Sequence, residues 1–155
     1  MKDMWAIREA NLDDLAAISQ VLKQSDLLAL DALAPGTRYW IAEDGEGHAL
    51  GCAGMEFGNA AVLLRSVAVL PAFRKRGLGE QLMNCALVSA ASQGYRRVYL
   101  FSMRSGGYWQ RLGFYKVDPQ EVVRALPDCF QVKRFESMPG KLAAETGWRK
   151  DLPGG

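Results

Sequence analysis

One segment constrains the fold of this chain more than any other: a β-branched strand, a basic loop and two glycines that precede a helix. The strand pattern ends with Val67-Ala68-Val69, and the loop contains Arg74-Lys75-Arg76. Gly77 and Gly79 follow, and from Leu78 the apolar residues repeat with helical period. Free N–H groups and the helix dipole bind anions at a helix N-terminus, and glycines let the backbone approach a phosphate closely. The segment therefore predicts a diphosphate site built from main-chain amides.

Other phosphate-binding motifs fit this segment less well. A P-loop requires Gly-x-x-x-x-Gly-Lys-Ser/Thr, which the sequence lacks, and a dinucleotide fingerprint needs a third glycine, which Gln81 to Asn84 do not supply. Two alternatives need no diphosphate: a solvated basic turn before an ordinary helix, and a nucleic-acid patch. The formal net charge of +2 is too small for a nucleic-acid footprint across the whole domain.

The elements around this segment follow the order of a mixed α/β sheet. Trp5 to Arg8 predicts a short strand, and Asn11 can cap the next helix through its side-chain oxygen. Three further strand candidates, separated by turn residues, form an antiparallel meander: Arg38 to Glu43, His48 to Phe57 and Ala60 to Leu70. A helix ending at Gly94 and a buried strand over Arg97 to Phe101 complete a crossover. This order predicts one mixed α/β domain over residues 1–155.

The other parts of the chain carry weaker patterns. Gly107 to Leu112 predicts a brief helix, and Phe114 to Val117 predicts a strand whose partner is Gln131 to Ser137. Ser25 to Leu33 predicts a second short helix or turn. Residues 141–155 are polar and contain Gly and Pro, which predicts a flexible tail.

Composition and cysteine content narrow the class of protein. With 155 residues, 49% hydrophobic and 23% charged, the chain has the balance of a soluble globular domain. Cys52, Cys85 and Cys129 lack the spacing of zinc ligands or redox motifs, and His48 is the only histidine, so we expect reduced thiols and no metal site. The sequence shows no signal peptide and no run of about 20 apolar residues that would span a membrane. We therefore expect a cytoplasmic protein without membrane or nucleic-acid partners.

Two motifs resemble the landmarks of the GNAT N-acetyltransferase superfamily. Arg74-x-x-Gly77-x-Gly79 resembles the Arg/Gln-x-x-Gly-x-Gly/Ala signature, and the strand before it and the long helix after it match the context of that signature. The segment from Tyr108 to Phe114 resembles the second landmark, an aromatic pair followed by Leu-Gly-Phe. The likeness extends from about Ile7 to Val117. It implies an α/β (α+β) fold with a mixed, largely antiparallel central sheet that splays after the fourth strand and carries helices on both faces.

The resemblance implies acetyl-CoA as the acyl donor, with no metal. Backbone groups of Val67 and Val69 would pair with the pantetheine arm, and the N–H groups from Lys75 to Glu80 would hold the pyrophosphate. The predicted cofactor-binding residues are Val67, Ala68, Val69, Arg74, Lys75, Arg76, Gly77, Leu78, Gly79, Glu80 and Trp109.

The implied reaction is direct attack of a neutral amine on the thioester, which needs a base, an oxyanion donor and a proton for the thiolate. Glu56 is the candidate base, acting through a water, and its alternative reading is an exposed carboxylate at a strand end. Alignment on Leu112-Gly113-Phe114 places Trp109 where many members have a tyrosine, and an indole N–H is no proton acid near neutral pH. Either Tyr108 supplies the proton from a different angle, or solvent does and Tyr108 only packs.

Arg65 and Trp40 are the candidate substrate-binding residues. Strict alternation would place Leu63, Arg65, Val67 and Val69 on one face, so that the guanidinium lies among apolar side chains. A charge buried there needs a partner, either a substrate carboxylate or a structural acid such as Glu56. Trp40 opens a strand and borders the acceptor cleft in this reading, with core packing as its alternative.

A narrower likeness bears on the acceptor. Gly51-Cys52-Ala53-Gly54-Met55-Glu56, the strand from Val62 to Val69 and Ala125-Leu126-Pro127 resemble the branch of amino-acid N-acetyltransferases and acetyltransferases linked to arsenic resistance. The sequence therefore favours acetylation of a small amine, such as an amino acid or related carboxylate. Two rival functions are a protein or peptide N-acetyltransferase and a catalytically silent acyl-CoA-binding sensor. The resemblance also implies a homodimer.

Overall fold

The structure, a computed structural model, describes residues 4–25, 36–104 and 107–153. Apart from Ser25 itself, the helix or turn predicted over Ser25 to Leu33 lies outside these residues. The strands are β1 Trp5–Glu9, β2 Thr37–Asp44, β3 Ala49–Phe57, β4 Ala61–Val69, β5 Arg97–Ser102, β6 Tyr115–Val117 and β7 Thr146–Asp151. The helices are α1 Leu15–Gln24, α2 Leu78–Ser92, α3 Tyr108–Arg111, α4 Pro119–Ala125, α5 Phe130–Ser137 and α6 Lys141–Ala144.

The strands hydrogen-bond in the order β1-β2-β3-β4-β5-β7-β6. The pairs β1–β2, β5–β7 and β6–β7 are antiparallel, and β4–β5 is parallel. The parallel register joins Ala61–Leu63 to Arg97–Tyr99, whereas β4 continues to Val69. These features confirm the predicted mixed, largely antiparallel α/β fold, with a fourth strand that extends past its pairing with the fifth.

The chain divides into two compact units. The first comprises Met1–Met55 and Arg65–Ser89, and the second comprises Glu56–Leu64 and Ala90–Gly155. The core of the first unit joins one face of α1 to side chains of β2, β3 and β4: Ile18, Val21, Leu22, Tyr39, Ile41, Cys52 and Ala68. The core of the second unit joins β4 and β5 to α4 and α5: Ala61, Leu63, Tyr99, Val122, Leu126, Cys129 and Val132.

A single 3-10 turn, Leu12–Asp14, leads into α1, and its start follows the local signals. Asn11 accepts a hydrogen bond from the Asp13 N–H, and the Asp14 carboxylate accepts one from the Asn11 N–H. This reciprocal arrangement satisfies donors that have no intrahelical partner at the start of a helix. The cap at Asn11 is therefore confirmed.

Two predictions for the C-terminal part are wrong. Gln131 to Ser137 lies in helix α5, so the strand partner of β6 is β7. The predicted flexible tail over 141–155 instead contains α6 and β7, and β7 lies between β5 and β6 in the sheet. Gly147 permits this close pairing, because a Cβ there would lie 2.8 Å from the Val117 carbonyl oxygen.

Candidate functional site

Strand β4 contains one extra residue at Ser66. The Gly58 N–H donates to the Ala61 oxygen and the Leu70 N–H donates to the Leu50 oxygen. In a regular antiparallel ladder, the two residue numbers of every pair have the same sum. This sum is one larger for Leu50 and Leu70 than for Gly58 and Ala61, so β4 contains one more residue than β3 between these two pairs. Ser66 lies in this interval with a φ of +56°, the left-handed region that residues other than glycine rarely adopt. The strand therefore carries a β-bulge.

The bulge changes which side chains share a face of the sheet. Ala68 belongs to the core cluster that includes Tyr39 of β2. Arg65 points to the same side, because its Nη2 donates to Thr37 Oγ1 at 2.9 Å and Thr37 lies two residues before Tyr39 on β2. Arg65 and Ala68 are three positions apart, so they share a face only because of the inserted residue.

Val69 lies on the opposite face, toward α2. A Cβ added to Gly79 would lie 3.6 Å from Val69 Cγ2, whereas Ala68 clusters with Ile18 of α1. The prediction that the odd-numbered residues from Leu63 to Val69 line one face is therefore wrong beyond Ser66. The bulge is the physical reason.

Two arginine side chains hold the loop between β4 and α2. Arg74 Nε donates to the Val69 carbonyl oxygen at 2.9 Å, which ties the loop back to the end of β4. The Arg76 guanidinium lies 5.4 Å from the centroid of the Phe73 ring, within the range of a cation–π contact. The side chains of Arg74 and Arg76 thus shape the loop, while both residues remain exposed.

The start of α2 has the backbone geometry of an anion site. Lys75 and Gly77 have positive φ values of +63° and +81°, whereas Arg76 between them does not. The sign of φ therefore alternates along these three residues. Such alternation turns successive N–H groups toward one concavity. The first intrahelical bond runs from the Gln81 N–H to the Gly77 oxygen at 3.0 Å, so the amides of 78–80 precede the helical ladder. The loop residues 74–77 are exposed, and this arrangement fits a diphosphate.

Glu56 lies in the second unit and is only 4% exposed. Its Oε1 accepts a hydrogen bond from the Phe130 N–H at 2.5 Å, and its Oε2 accepts one from the Gln131 N–H at 3.0 Å. Cys129, the N-cap residue of α5, makes no side-chain capping bond. Glu56 therefore caps α5 from a distant strand, and the alternative reading as an exposed carboxylate is wrong.

Tyr108 and Trp109 form an aromatic cluster in the second unit. Their ring centroids are 4.9 Å apart at an interplanar angle of 84°, and Trp109 makes a similar edge contact with Phe114 at 5.5 Å. The Arg104 guanidinium lies 3.7 Å from the centroid of the Tyr108 ring. Trp109 is 9% exposed, and its Nε1 has no hydrogen-bond partner within residues 4–25, 36–104 and 107–153.

Trp40 is a buried residue of the first unit. Its side chain is part of the core, and the Arg38 guanidinium lies 5.5 Å from its ring centroid. Arg38 in turn donates to both carboxylate oxygens of Glu9, at 2.8 and 2.7 Å. The structure thus supports the core-packing alternative for Trp40.

Two residues of this region were not predicted as site residues. Thr37 accepts the hydrogen bond from Arg65, and the Cys52 thiol donates to the Ser66 carbonyl oxygen at 3.4 Å. Neither contact has a local sequence signal, because each joins strands that are distant in sequence. A predicted bulge at Ser66 would have pointed to these contacts. Serine, unlike glycine, does not indicate left-handed backbone, so the sequence does not predict the bulge.

The helices in the part of the chain that the structure describes are all too short or too polar to cross a membrane. The same residues contain no cluster of three or more His, Cys, Asp or Glu side chains that would hold a metal ion.

Comparisons with known proteins agree with this fold. Residues 35–116 match the acetyltransferase (GNAT) domain. An uncharacterized N-acetyltransferase of Chlorobaculum tepidum is 27% identical over 138 residues, which cover 79% of this chain and 86% of the relative. A GNAT family acetyltransferase of Brucella melitensis, solved with acetyl-CoA, is 27% identical with a TM-score of 0.60, covering 72% of this chain and 82% of that structure.

N-acetylglutamate synthase of Neisseria gonorrhoeae, solved with coenzyme A and N-acetyl-glutamate, has a TM-score of 0.73 at 22% identity. The match covers 99% of this chain but only 36% of that protein, and at this identity it supports the fold. The residues that match the acetyltransferase domain make up more than half of the 155 residues. The chain therefore belongs to the GNAT acetyltransferase family.

Proposed function

We propose that this protein transfers the acetyl group of acetyl-CoA to the amine of a small molecule. The observation that carries the proposal is the exposed concavity of main-chain amides at the start of α2, where Lys75 and Gly77 adopt left-handed backbone. Family membership supports the reaction type. Two similar structures, solved with acetyl-CoA and with coenzyme A, support the donor.

The donor is held mainly by main-chain groups in this proposal. The amides of Lys75 to Glu80 hold the diphosphate, and the backbone of Val67 to Val69 pairs with the pantetheine arm. Bound there, acetyl-CoA supplies an activated thioester. The buried side chain of Leu78 anchors the first turn of α2, which keeps these amides in place.

Arg65 is the proposed recognition residue for a carboxylate on the acceptor. The guanidinium is buried to 4% exposure beside Thr37, and a carboxylate reaching it would bind in an environment of low dielectric. The narrower sequence likeness to amino-acid N-acetyltransferases favours such an acceptor. The N-acetyl-glutamate in the Neisseria gonorrhoeae structure is a product of this chemical class.

Proton transfer is assigned to Glu56 and Tyr108. A carboxylate has about four lone-pair positions. Glu56 accepts hydrogen bonds from two amides of α5 and is the proposed base, which takes the proton of the incoming ammonium through a water. Tyr108 is the proposed donor to the leaving thiolate. Trp109 contributes contact and an N–H donor only, since an indole is no acid near neutral pH.

We also propose a cytoplasmic location. Cys52, Cys85 and Cys129 are all free thiols in the structure, as expected in a reducing compartment.

Thiol release from acetyl-CoA in the presence of an amine panel tests this function. We expect release with small amines that carry an α-carboxylate, and markedly less with the matching amides or decarboxylated amines. Arg65→Lys keeps the charge but loses the planar fork, and should raise the KM of the carboxylate acceptor by about tenfold while leaving that of acetyl-CoA unchanged. CoA binding without release from any amine would favour the sensor function, and release only with peptides would favour the peptide acetyltransferase.

A further inference from the structure

We propose that Cys52 is a positioning residue for the acyl donor: its thiol holds Ser66 in the left-handed conformation and thereby aligns the main chain of Val67 to Val69. This proposal rests on the proposed function. Cys52 lies on β3 directly beside the bulge of β4 and is 0% exposed.

The contact between the thiol and the bulge is specific. Cys52 Sγ lies 3.4 Å from the Ser66 carbonyl oxygen, within the distance of a sulfur hydrogen bond. Burial raises the pKa of the thiol to about 12, and a hydrogen bond from the Ala68 backbone acts in the opposite direction. The sulfur therefore stays protonated at neutral pH and can donate to the Ser66 oxygen while it accepts from the Ala68 N–H.

The bulge needs such a partner. An extra residue in one strand disrupts the regular ladder, so its backbone groups lack their normal partner on β3. Buried backbone groups without partners are costly, and a left-handed serine adds strain of its own. A small side chain with both a donor and an acceptor can satisfy these groups, and the thiol of Cys52 has both.

The alignment affects the donor because of the geometry of a strand. Successive residues direct their main-chain N–H and C=O groups to opposite edges of the strand. The Ser66 oxygen and the Ala68 N–H face β3, where Cys52 lies. The groups of Val67 between them therefore face the other edge, where β4 continues beyond its register with β5. By holding the Ser66 oxygen and the Ala68 N–H, Cys52 therefore also sets the direction of the Val67 main-chain groups that are proposed to pair with pantetheine.

Substitutions of Cys52 test the proposal. Cys52→Ala should raise the Kd for CoA and the KM for acetyl-CoA by about five- to tenfold, as expected for one lost hydrogen bond, with kcat at saturating acetyl-CoA within about twofold of wild type. Cys52→Ser keeps a donor and an acceptor and should restore most of the affinity. Cys129→Ala is the matched control, since that thiol is also buried but clusters with Ala61 and Leu63. CoA affinity unchanged in folded Cys52→Ala, or lost equally in Cys129→Ala, would overturn the proposal.

A double-mutant cycle separates this proposal from the donor assignment. Ser66→Gly removes the left-handed strain, so Cys52→Ala should cost less stability in the Ser66→Gly background than in wild type. Hydrogen exchange of the 61–70 backbone should also become faster in Cys52→Ala alone. If wild-type protein does not bind CoA, the proposed function fails while these two measurements still test the contact. Equal costs in both backgrounds with unchanged exchange would refute the role of Cys52.

Discussion

Ser66 and Lys75 are the residues other than glycine with positive φ in the part of the chain that the structure describes. Left-handed backbone costs a non-glycine residue about 1–2 kcal/mol. Lys75 is one of the residues to which we assign the acyl donor, and Ser66 directly precedes Val67, the first of them. Strained residues persist where the surrounding structure enforces them, and they often accompany binding sites. The strain therefore supports this assignment.

Replacing Lys75 with glycine should stabilise the protein. Glycine adopts a φ of +63° without a steric penalty, and this gain exceeds its larger loss of chain entropy on folding. We expect Lys75→Gly to raise the free energy of unfolding by about 0.5–1 kcal/mol in denaturant titrations. CoA affinity should change little, because the main-chain amides remain.

Arg76→Gly is the matched control for Lys75→Gly. Arg76 has no positive φ and stacks on Phe73, so glycine there should lower the free energy of unfolding. A comparable loss of stability in both variants would contradict the assignment of strain to Lys75.

At the residue scale, the sequence predicts the position of Gly77 in the loop before α2 but not the bulge at Ser66. Gly77 lies in that loop with a φ of +81°. Ser66 interrupts a β-branched strand without any residue that favours positive φ, so regular alternation was the natural prediction. As a result, the residues after Ser66 were assigned to the wrong face of the sheet.

At the scale of elements, α5 shows why local patterns misassigned the C-terminal part. Its N-cap residue, Cys129, provides no side-chain acceptor. The acceptor comes from Glu56, whose bond to the Phe130 N–H spans 74 positions in the sequence. A helix start that depends on a distant carboxylate carries no local capping signal, so Gln131 to Ser137 was predicted as a strand.

Glu56→Gln should weaken α5. The amide side chain keeps one acceptor oxygen, loses the negative charge at the helix N-terminus and brings an N–H₂ group against a backbone N–H. We expect the free energy of unfolding to fall by about 1–3 kcal/mol, measured by chemical denaturation. Glu136→Gln, on an exposed position of the same helix, should change it by less than about 0.5 kcal/mol. Equal stability of the two variants would argue against the capping role.

At the scale of the whole molecule, the strands that the sequence predicts well are those whose ends are marked by turn residues. His48 to Phe57 and Ala60 to Leu70 correspond within one residue to β3 and β4, because Asp44 to Gly47 and Gly58 mark their ends. Strand β7 carries no such pattern. Arg149 pairs with Glu121 at 3.1 Å, and Lys150 donates to the Leu112 oxygen at 3.0 Å. Its polar residues are satisfied by partners that only the fold brings near, so it was predicted as a tail.

The central claim, that amides at the start of α2 bind a diphosphate, is tested most directly by calorimetry with CoA and with pantetheine, which lacks the diphosphate. Gly77 and Gly47 have φ values of +81° and +83°, and a Cβ at either meets no atom within 4 Å. Alanine should therefore lower stability by a similar amount, about 1 kcal/mol, at both positions. The account predicts that wild type and Gly47→Ala bind CoA far more tightly than pantetheine and that Gly77→Ala loses most of this difference. Equal affinity of wild type for the two ligands, or equal CoA affinity of the two variants, would contradict it.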